Sequence, residues 1–93
     1  MSMLFEWDDE KRQSNIKKHG FDFTIAKSVL SDPNVVIKVD NRKDYGETRV
    51  WAFGKVGNLR LCLCYTMRDG KYRVISLYTP NKSRWRKHYG KNS

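Results

Sequence analysis

The 93 residues carry 19 Lys and Arg against 10 Asp and Glu, a formal net charge of +9, with only two cysteines. Such a length predicts one domain over 1–93 with a single modest core, and excludes a deep enclosed active site. No apolar run reaches the ~18 residues of a membrane span, and no basic segment followed by an apolar stretch opens the chain; a cytoplasmic protein with no membrane partner is expected.

Phe5 and Trp7 alternate with Glu6, the period of a strand with one apolar face. Asp8 then offers a side-chain acceptor to a helix start, and Asp9 and Glu10 put negative charge where the helix dipole favours it. The predicted helix runs from about Asp9 to His19. Its last turn holds Lys17, Lys18 and His19, and Gly20 is placed for a left-handed cap. A second helix is expected after Phe21-Asp22-Phe23-Thr24, capped by Asp22 or Thr24, with Ile25, Ala26, Val29 and Leu30 at helical spacing. Pro33 ends it.

The β-branched run Val35–Val39 predicts a strand, and Asp40–Glu47 a polar loop. Three strands follow. Thr48–Lys55 puts Trp51 and Phe53 on one face and Val50 and Ala52 on the other. Leu59–Met67 alternates Leu59, Leu61, Leu63, Tyr65 and Met67 with Arg60, Cys62, Cys64 and Thr66. Asp69-Gly70 suits a tight type I′ turn into the last strand, Tyr72–Tyr78. Pro80 stops that strand, a basic helix runs to about Tyr89, and residues 90–93 form a frayed tail. The predicted class is α+β: an antiparallel sheet, two N-terminal helices on one face, and a C-terminal helix.

Only Asp69 among the acidic residues lies beyond Asn58, while Lys and Arg continue to Lys91. That asymmetry favours a polyanionic partner, nucleic acid or an acidic protein; the plain alternative is a solvated basic surface. Cys62 and Cys64 cannot complete a four-ligand zinc site and read as small buried apolar residues. His19 and His88 share no local spacing with a carboxylate cluster, so no metal site is expected. Phosphate-loop and serine-hydrolase motifs are absent. RNA chemistry fits better. Cleaving a phosphodiester without metal needs a base for the 2′-OH, an acid for the 5′-oxygen and cations for the developing charge. Lys, Arg, His and Tyr fill these roles, and interleaved aromatics can stack on unpaired bases.

Each candidate has a structural alternative. His19 can cap a helix or move protons. Arg49 can bind phosphate or pair with Glu47. Arg73 and Ser76 fall on opposite faces of the last strand by alternation, unless a bulge intervenes. Tyr65, Trp7, Trp51 and Phe53 suit the core. Trp85, among Arg84, Arg86 and Lys87, can contact a partner or fold back onto the sheet.

Several segments recur together in order: Phe5-Glu6-Trp7-Asp8, Lys11, Asn15, Lys18-His19-Gly20, Phe23 with Ala26, and Asp32. Gly46-Glu47-Thr48-Arg49, Gly54 to Gly57, Tyr65-Thr66-Met67-Arg68 and Arg73-Val74-Ile75-Ser76 follow. In this order and approximate spacing, from about Leu4 to Ser76, the chain resembles the BrnT family of type II toxins. The resemblance implies a RelE-like fold and a metal-independent endoribonuclease that inhibits translation and needs no cofactor. It also implies an antitoxin of the BrnA type, whose ribbon-helix-helix domain carries the pair to operator DNA. The family continues Ala-Arg after Ile-Ser; here the pair is Leu77-Tyr78, and Arg84-Trp85 stands in the last helix where a Glu is usual. Tyr78 can stack or hydrogen-bond in place of that Arg but brings no charge, so the resemblance implies weaker activity. The alternative is a basic RNA- or DNA-binding module without chemistry, acting with its antitoxin as an operon repressor.

The expected catalytic set is Lys18 and His19 at the proton-transfer or phosphate end, with Arg49 and Arg73 stabilising transition-state charge. Lys17, Ser76 and Tyr78 are expected to contact RNA. Trp85 and Arg86 are expected to anchor an antitoxin whose toxin-binding part is rich in Asp and Glu.

Overall fold

The computed structural model describes residues 3–41 and 46–89. Residues 42–45 of the expected polar loop, and the expected tail at 90–93, lie outside the described residues. Strand β1 (Phe5–Glu6) leads into helix α1 (Asp9–His19). Asp8 caps α1 by accepting from the backbone N–H groups of Glu10 and Lys11. Gly20 closes it at φ 82°, its N–H donating to the Ile16 carbonyl at 2.8 Å. Both helix ends therefore fall where the capping residues predict.

The second helix is shorter than its apolar spacing suggests. Asp22 caps a 3₁₀ turn, Phe23–Ile25, and only Ala26–Leu30 continues as helix α2. Strands β2 (Val36–Val39), β3 (Val50–Val56), β4 (Leu59–Arg68) and β5 (Lys71–Tyr78) follow, then helix α3 (Lys82–His88). The β4–β5 turn has positive φ at Asp69 (52°) and Gly70 (75°), as a type I′ turn requires.

The sheet order is β1-β5-β4-β3-β2. The last four strands form an antiparallel meander. The wholly antiparallel sheet expected from the sequence is corrected at one edge: β1 pairs parallel with β5, Phe5 with Tyr72 and Glu6 with Arg73. Two paired residues carry no local signal of direction; the Tyr72 N–H donating to the Leu4 carbonyl at 2.8 Å extends the pairing. The fold is α+β, a five-stranded mixed sheet with three α-helices among the described residues.

Both sheet faces carry a core. On one, Phe23, Ala26 and Val29 pack on Ala52, Leu61, Leu63, Val74 and Leu77. On the other, Trp85 and Tyr89 pack on Phe53 and Cys62. Alternation explains the division: Ala52 and Phe53 are neighbours in β3 and point opposite ways. All of Leu61–Thr66 is consequently buried, so β4 is apolar-covered on both sides rather than one. Cys62 and Cys64 are buried there without a disulfide between them, as their small size suggests.

Helix α1 differs from a core helix. Its one buried residue is Asn15, and it packs along β5. Strand β1 pairs only Tyr72 and Arg73, leaving the rest of that β5 edge without a strand neighbour. Asn15 stands in for one. Its Nδ2 donates to the Leu77 carbonyl (2.8 Å) and the Phe21 carbonyl (2.9 Å), and its Oδ1 accepts from the Leu77 N–H (3.1 Å). One amide side chain thus satisfies both backbone groups of a buried strand residue.

Candidate active site

The decisive irregularity is in β5. Cys64 pairs with Ser76 and Tyr65 with Val74, so Ile75 is an extra residue on β5. Past this bulge the alternation is reset. Arg73 lies opposite Thr66 and Ser76 opposite Cys64, residues on one face of β4. Simple alternation would separate Arg73 from Ser76; the bulge brings both to the face that α3 partly covers. The same reset keeps Val74 and Leu77 together in the opposite core.

Beside the bulge lies an open hollow of about 260 Å³. Helix α1 supplies Lys11, Ser14, Asn15, Lys18 and His19. These recur at helical spacing, so one polar stripe of α1 forms the wall. Ile75 and Ser76 come from β5, and Arg49 from the start of β3. Four of the expected site residues, Lys18, His19, Arg49 and Ser76, are therefore brought together from three elements. Lys11, Lys18 and Arg49 are cationic, and among the described residues no carboxylate lines the hollow.

The other expected residues stand around it. The Arg49 Nε donates to Glu47 Oε2 at 3.3 Å, and Glu47 also lies 3.8 Å from Arg68. The phosphate and ion-pair readings of Arg49 are thus compatible: the carboxylate holds the stem side while Arg49 lines the hollow. Arg73 is not a lining residue; its Nη1 donates to Glu6 Oε2 at 3.1 Å, which ties β5 to β1. Lys17 is exposed on α1 outside the lining.

Tyr78 borders the hollow. Its ring lies 5.5 Å from that of His19, tilted by 35°. Burial pushes its phenol up to about 12, reinforced by Cys62 and opposed by the hydrogen bond from Arg84. Tyr78 is therefore neutral near pH 7, suited to stacking and hydrogen bonding, not to acting as a base.

One expectation about α3 changes. Trp85 is 4% exposed and stacks on Tyr89 at 4.3 Å within the second core, so it is not presented to a partner. Of the expected antitoxin anchors only Arg86 is exposed. The reason is geometric: α3 must bury its largest apolar residue to stay on the sheet. Arg84, in contrast, turns back over the sheet. Its guanidinium lies 4.1 Å from the centre of the Trp51 ring and donates to the Tyr78 hydroxyl. A cation thus reaches Tyr78 from α3. No local pattern announces this, since Arg84 and Tyr78 meet only once α3 folds back.

The family model for the ribonuclease toxin BrnT, of type II toxin-antitoxin systems, matches residues 7–84. The chain belongs to the BrnT family of type II ribonuclease toxins. The matched span runs from Trp7 to Arg84 and so includes all the lining residues of the hollow. No curated protein matches the chain. Among the described residues no cluster of three or more His, Cys, Asp or Glu side chains could hold a metal ion, and no helix is long and apolar enough to cross a membrane.

Proposed function

We propose that this BrnT toxin is a metal-independent, RelE-like endoribonuclease that cuts RNA in the hollow between α1 and β5 and thereby inhibits translation in the cytoplasm. The observation that carries the reading is the convergence of Lys11, Lys18, His19, Arg49 and Ser76 on one hollow. The 2′-oxygen loses its proton, attacks the adjacent phosphorus, and the bond to the 5′-oxygen breaks as that oxygen takes a proton. His19 and Lys18 serve the proton transfers, as the side chains of the hollow able to exchange a proton beside bound phosphate. Arg49, Lys11 and Lys18 stabilise the charge that gathers on the phosphoryl oxygens. Ser76 donates a hydrogen bond to the phosphate. Arg73, held by Glu6 on the same face, adds longer-range positive potential. Tyr78 flanks His19 as a neutral stacking surface for a base.

The antitoxin is proposed to be of the BrnA type, with a ribbon-helix-helix domain that carries the pair to operator DNA. The cations of the hollow call for an acidic antitoxin segment, since desolvating them is tolerable only when carboxylates pair with them. Arg86 is a candidate contact at its rim.

The test is RNA cleavage by purified protein in excess EDTA, with His19→Ala and Arg49→Ala checked for folding. Each variant is expected to lose about 10²-fold in rate, the usual scale for one electrostatic donor. Parent-like cleavage by both would refute the assignment. Salt-dependent binding with RNA left intact would instead favour the non-catalytic module.

A further inference from the structure

A second hollow lies on the same sheet face, between β3 and α3. Its volume is about 490 Å³, and its lining is Trp51, Asn81, Ser83, Arg84, Lys87 and His88. Among the described residues no carboxylate lines it. Three features suit it to RNA. First, Arg84 has donor capacity in reserve. Its Nη1 donates to Tyr78, while Nη2 is buried without a hydrogen-bond partner among the described residues. A buried donor left unpaired is costly, and a phosphate or base oxygen satisfies it. Second, the walls are flat and aromatic. His88 stacks on Phe53 at 4.7 Å and leans on Trp51 at 6.4 Å, and the Arg84 plane lies over Trp51. Third, one residue lies between the two hollows. Tyr78 touches His19 on one side and Arg84 on the other.

We propose that this second hollow is a subsite for single-stranded RNA, holding a nucleotide next to the one being cut, with Arg84 and exposed Lys87 on its phosphate and the aromatic walls against its base. The proposal rests on the ribonuclease reading for its substrate class. An acidic peptide would use the charge of Arg84 and Lys87 but not the flat walls or the link through Tyr78; that is why RNA is preferred here to a protein partner.

The experiment separates binding from cutting. Uncleavable 2′-O-methyl RNA, as a dinucleotide and as a longer oligonucleotide, is titrated against the parent, Lys87→Ala and Arg84→Lys by fluorescence anisotropy at several salt concentrations. Lys87 is exposed, so Lys87→Ala should fold normally, and thermal melting checks Arg84→Lys. The longer RNA is expected to bind Lys87→Ala about 3- to 10-fold more weakly, with the magnitude of the log–log salt slope lower by about 0.7, one single-strand phosphate contact. Dinucleotide binding should not change. Arg84→Lys, which keeps the charge but loses the planar fork, should weaken the longer RNA in the same direction. Unchanged length dependence and salt slope in both variants overturn the subsite, also if binding of an acidic antitoxin peptide weakens instead. No RNA binding by the parent overturns it together with the ribonuclease reading. A parent that binds the longer RNA in this Lys87-dependent way but leaves unmodified RNA uncut supports the subsite while refuting the cleavage chemistry.

Discussion

Replacing Asn15 by Ala should be among the most damaging single changes in this protein, although Asn15 lies on a helix with almost no apolar face. The side chain is 6% exposed and makes three hydrogen bonds, two of them to Leu77, which is fully buried. Truncation strands the Leu77 N–H and carbonyl away from water. Each buried unsatisfied group costs about 1–3 kcal/mol. The half-buried Phe21 carbonyl can recover a water and contributes less. The sum is about 2–6 kcal/mol, a large share of the ~5–14 kcal/mol typical of a chain this size. At about 4–8 °C per kcal/mol for a small domain, a loss near 3 kcal/mol lowers Tm by roughly 15 °C. Urea and thermal denaturation of Asn15→Ala measure this, with Ser14→Ala, its exposed neighbour, expected within about 0.5 kcal/mol of the parent. Asn15→Asp keeps the acceptor for Leu77 N–H but loses both donated bonds, and should be no better than Asn15→Ala. A loss under about 1 kcal/mol for Asn15→Ala would refute the view that this amide serves as a strand neighbour for β5.

Gly54→Ala should destabilise by about 1–3 kcal/mol in urea denaturation, because a Cβ there would lie 2.7 Å from the Val29 carbonyl oxygen, which is backbone and cannot turn away. Tyr89→Phe removes the 2.7 Å hydrogen bond to Asp32 and should cost about 1–2 kcal/mol at neutral pH, measured by the same method. Burial pushes the Asp32 carboxyl up, but hydrogen bonds from the Lys55 and Asn34 N–H groups and Tyr89 outweigh it, and its value is lowered overall. Its stabilisation is therefore present above the ordinary carboxyl value and lost as pH falls through the lowered one; the Tyr89→Phe penalty should shrink in acid. In the alkaline range, Tyr78 holds its proton until about 12 against an ordinary 10.0. Its contribution is intact below pH 10 and disappears as pH rises through about 12, so Tyr78→Phe should remove the last phenolate step from an ultraviolet absorbance titration.

What was legible in the sequence was local. Asp8 and Gly20 bound α1 because caps act within four residues, and Asp69-Gly70 marks the β4–β5 hairpin because only such a pair tolerates two positive φ angles. The paired faces of β3 follow from alternation. What was not legible depends on contacts far apart in the chain. Nothing in Arg73-Val74-Ile75-Ser76 marks a bulge, since Ile75 is an ordinary strand residue; its position is fixed by the need to keep both Val74 and Leu77 in one core. The direction of β1 is set by a partner more than sixty residues away. Helix α1 carries a weak apolar pattern because its neighbour is a strand edge that wants hydrogen bonds, so Asn15 does what a leucine does elsewhere. Trp85 and Arg84 are adjacent, and the sequence leaves open whether Trp85 meets a partner or folds back onto the sheet. Helical geometry sends one inward and the other across the sheet to Tyr78.

The site and the fold draw on the same few residues, and that shapes how the protein can change. Lys18 and His19 are held in place by a helix whose position depends on Asn15, while Ser76 faces the hollow only because Ile75 is inserted before it. Lys11, Lys18 and Arg49 line that hollow, with no carboxylate among its described lining residues and Glu47 pairing with Arg49 beside it; the remaining excess of positive charge is screened by water while the surface is open. On the proposed reading, an anion entering it relieves repulsion as well as gaining attraction, so phosphate and an inhibitor's carboxylates would compete for the same charge. Adding a carboxylate to α1, at Ser14 for instance, would relieve the repulsion permanently. The fold would gain from that change what the site would lose, since the preformed positive charge that attracts a phosphodiester would already be neutralised.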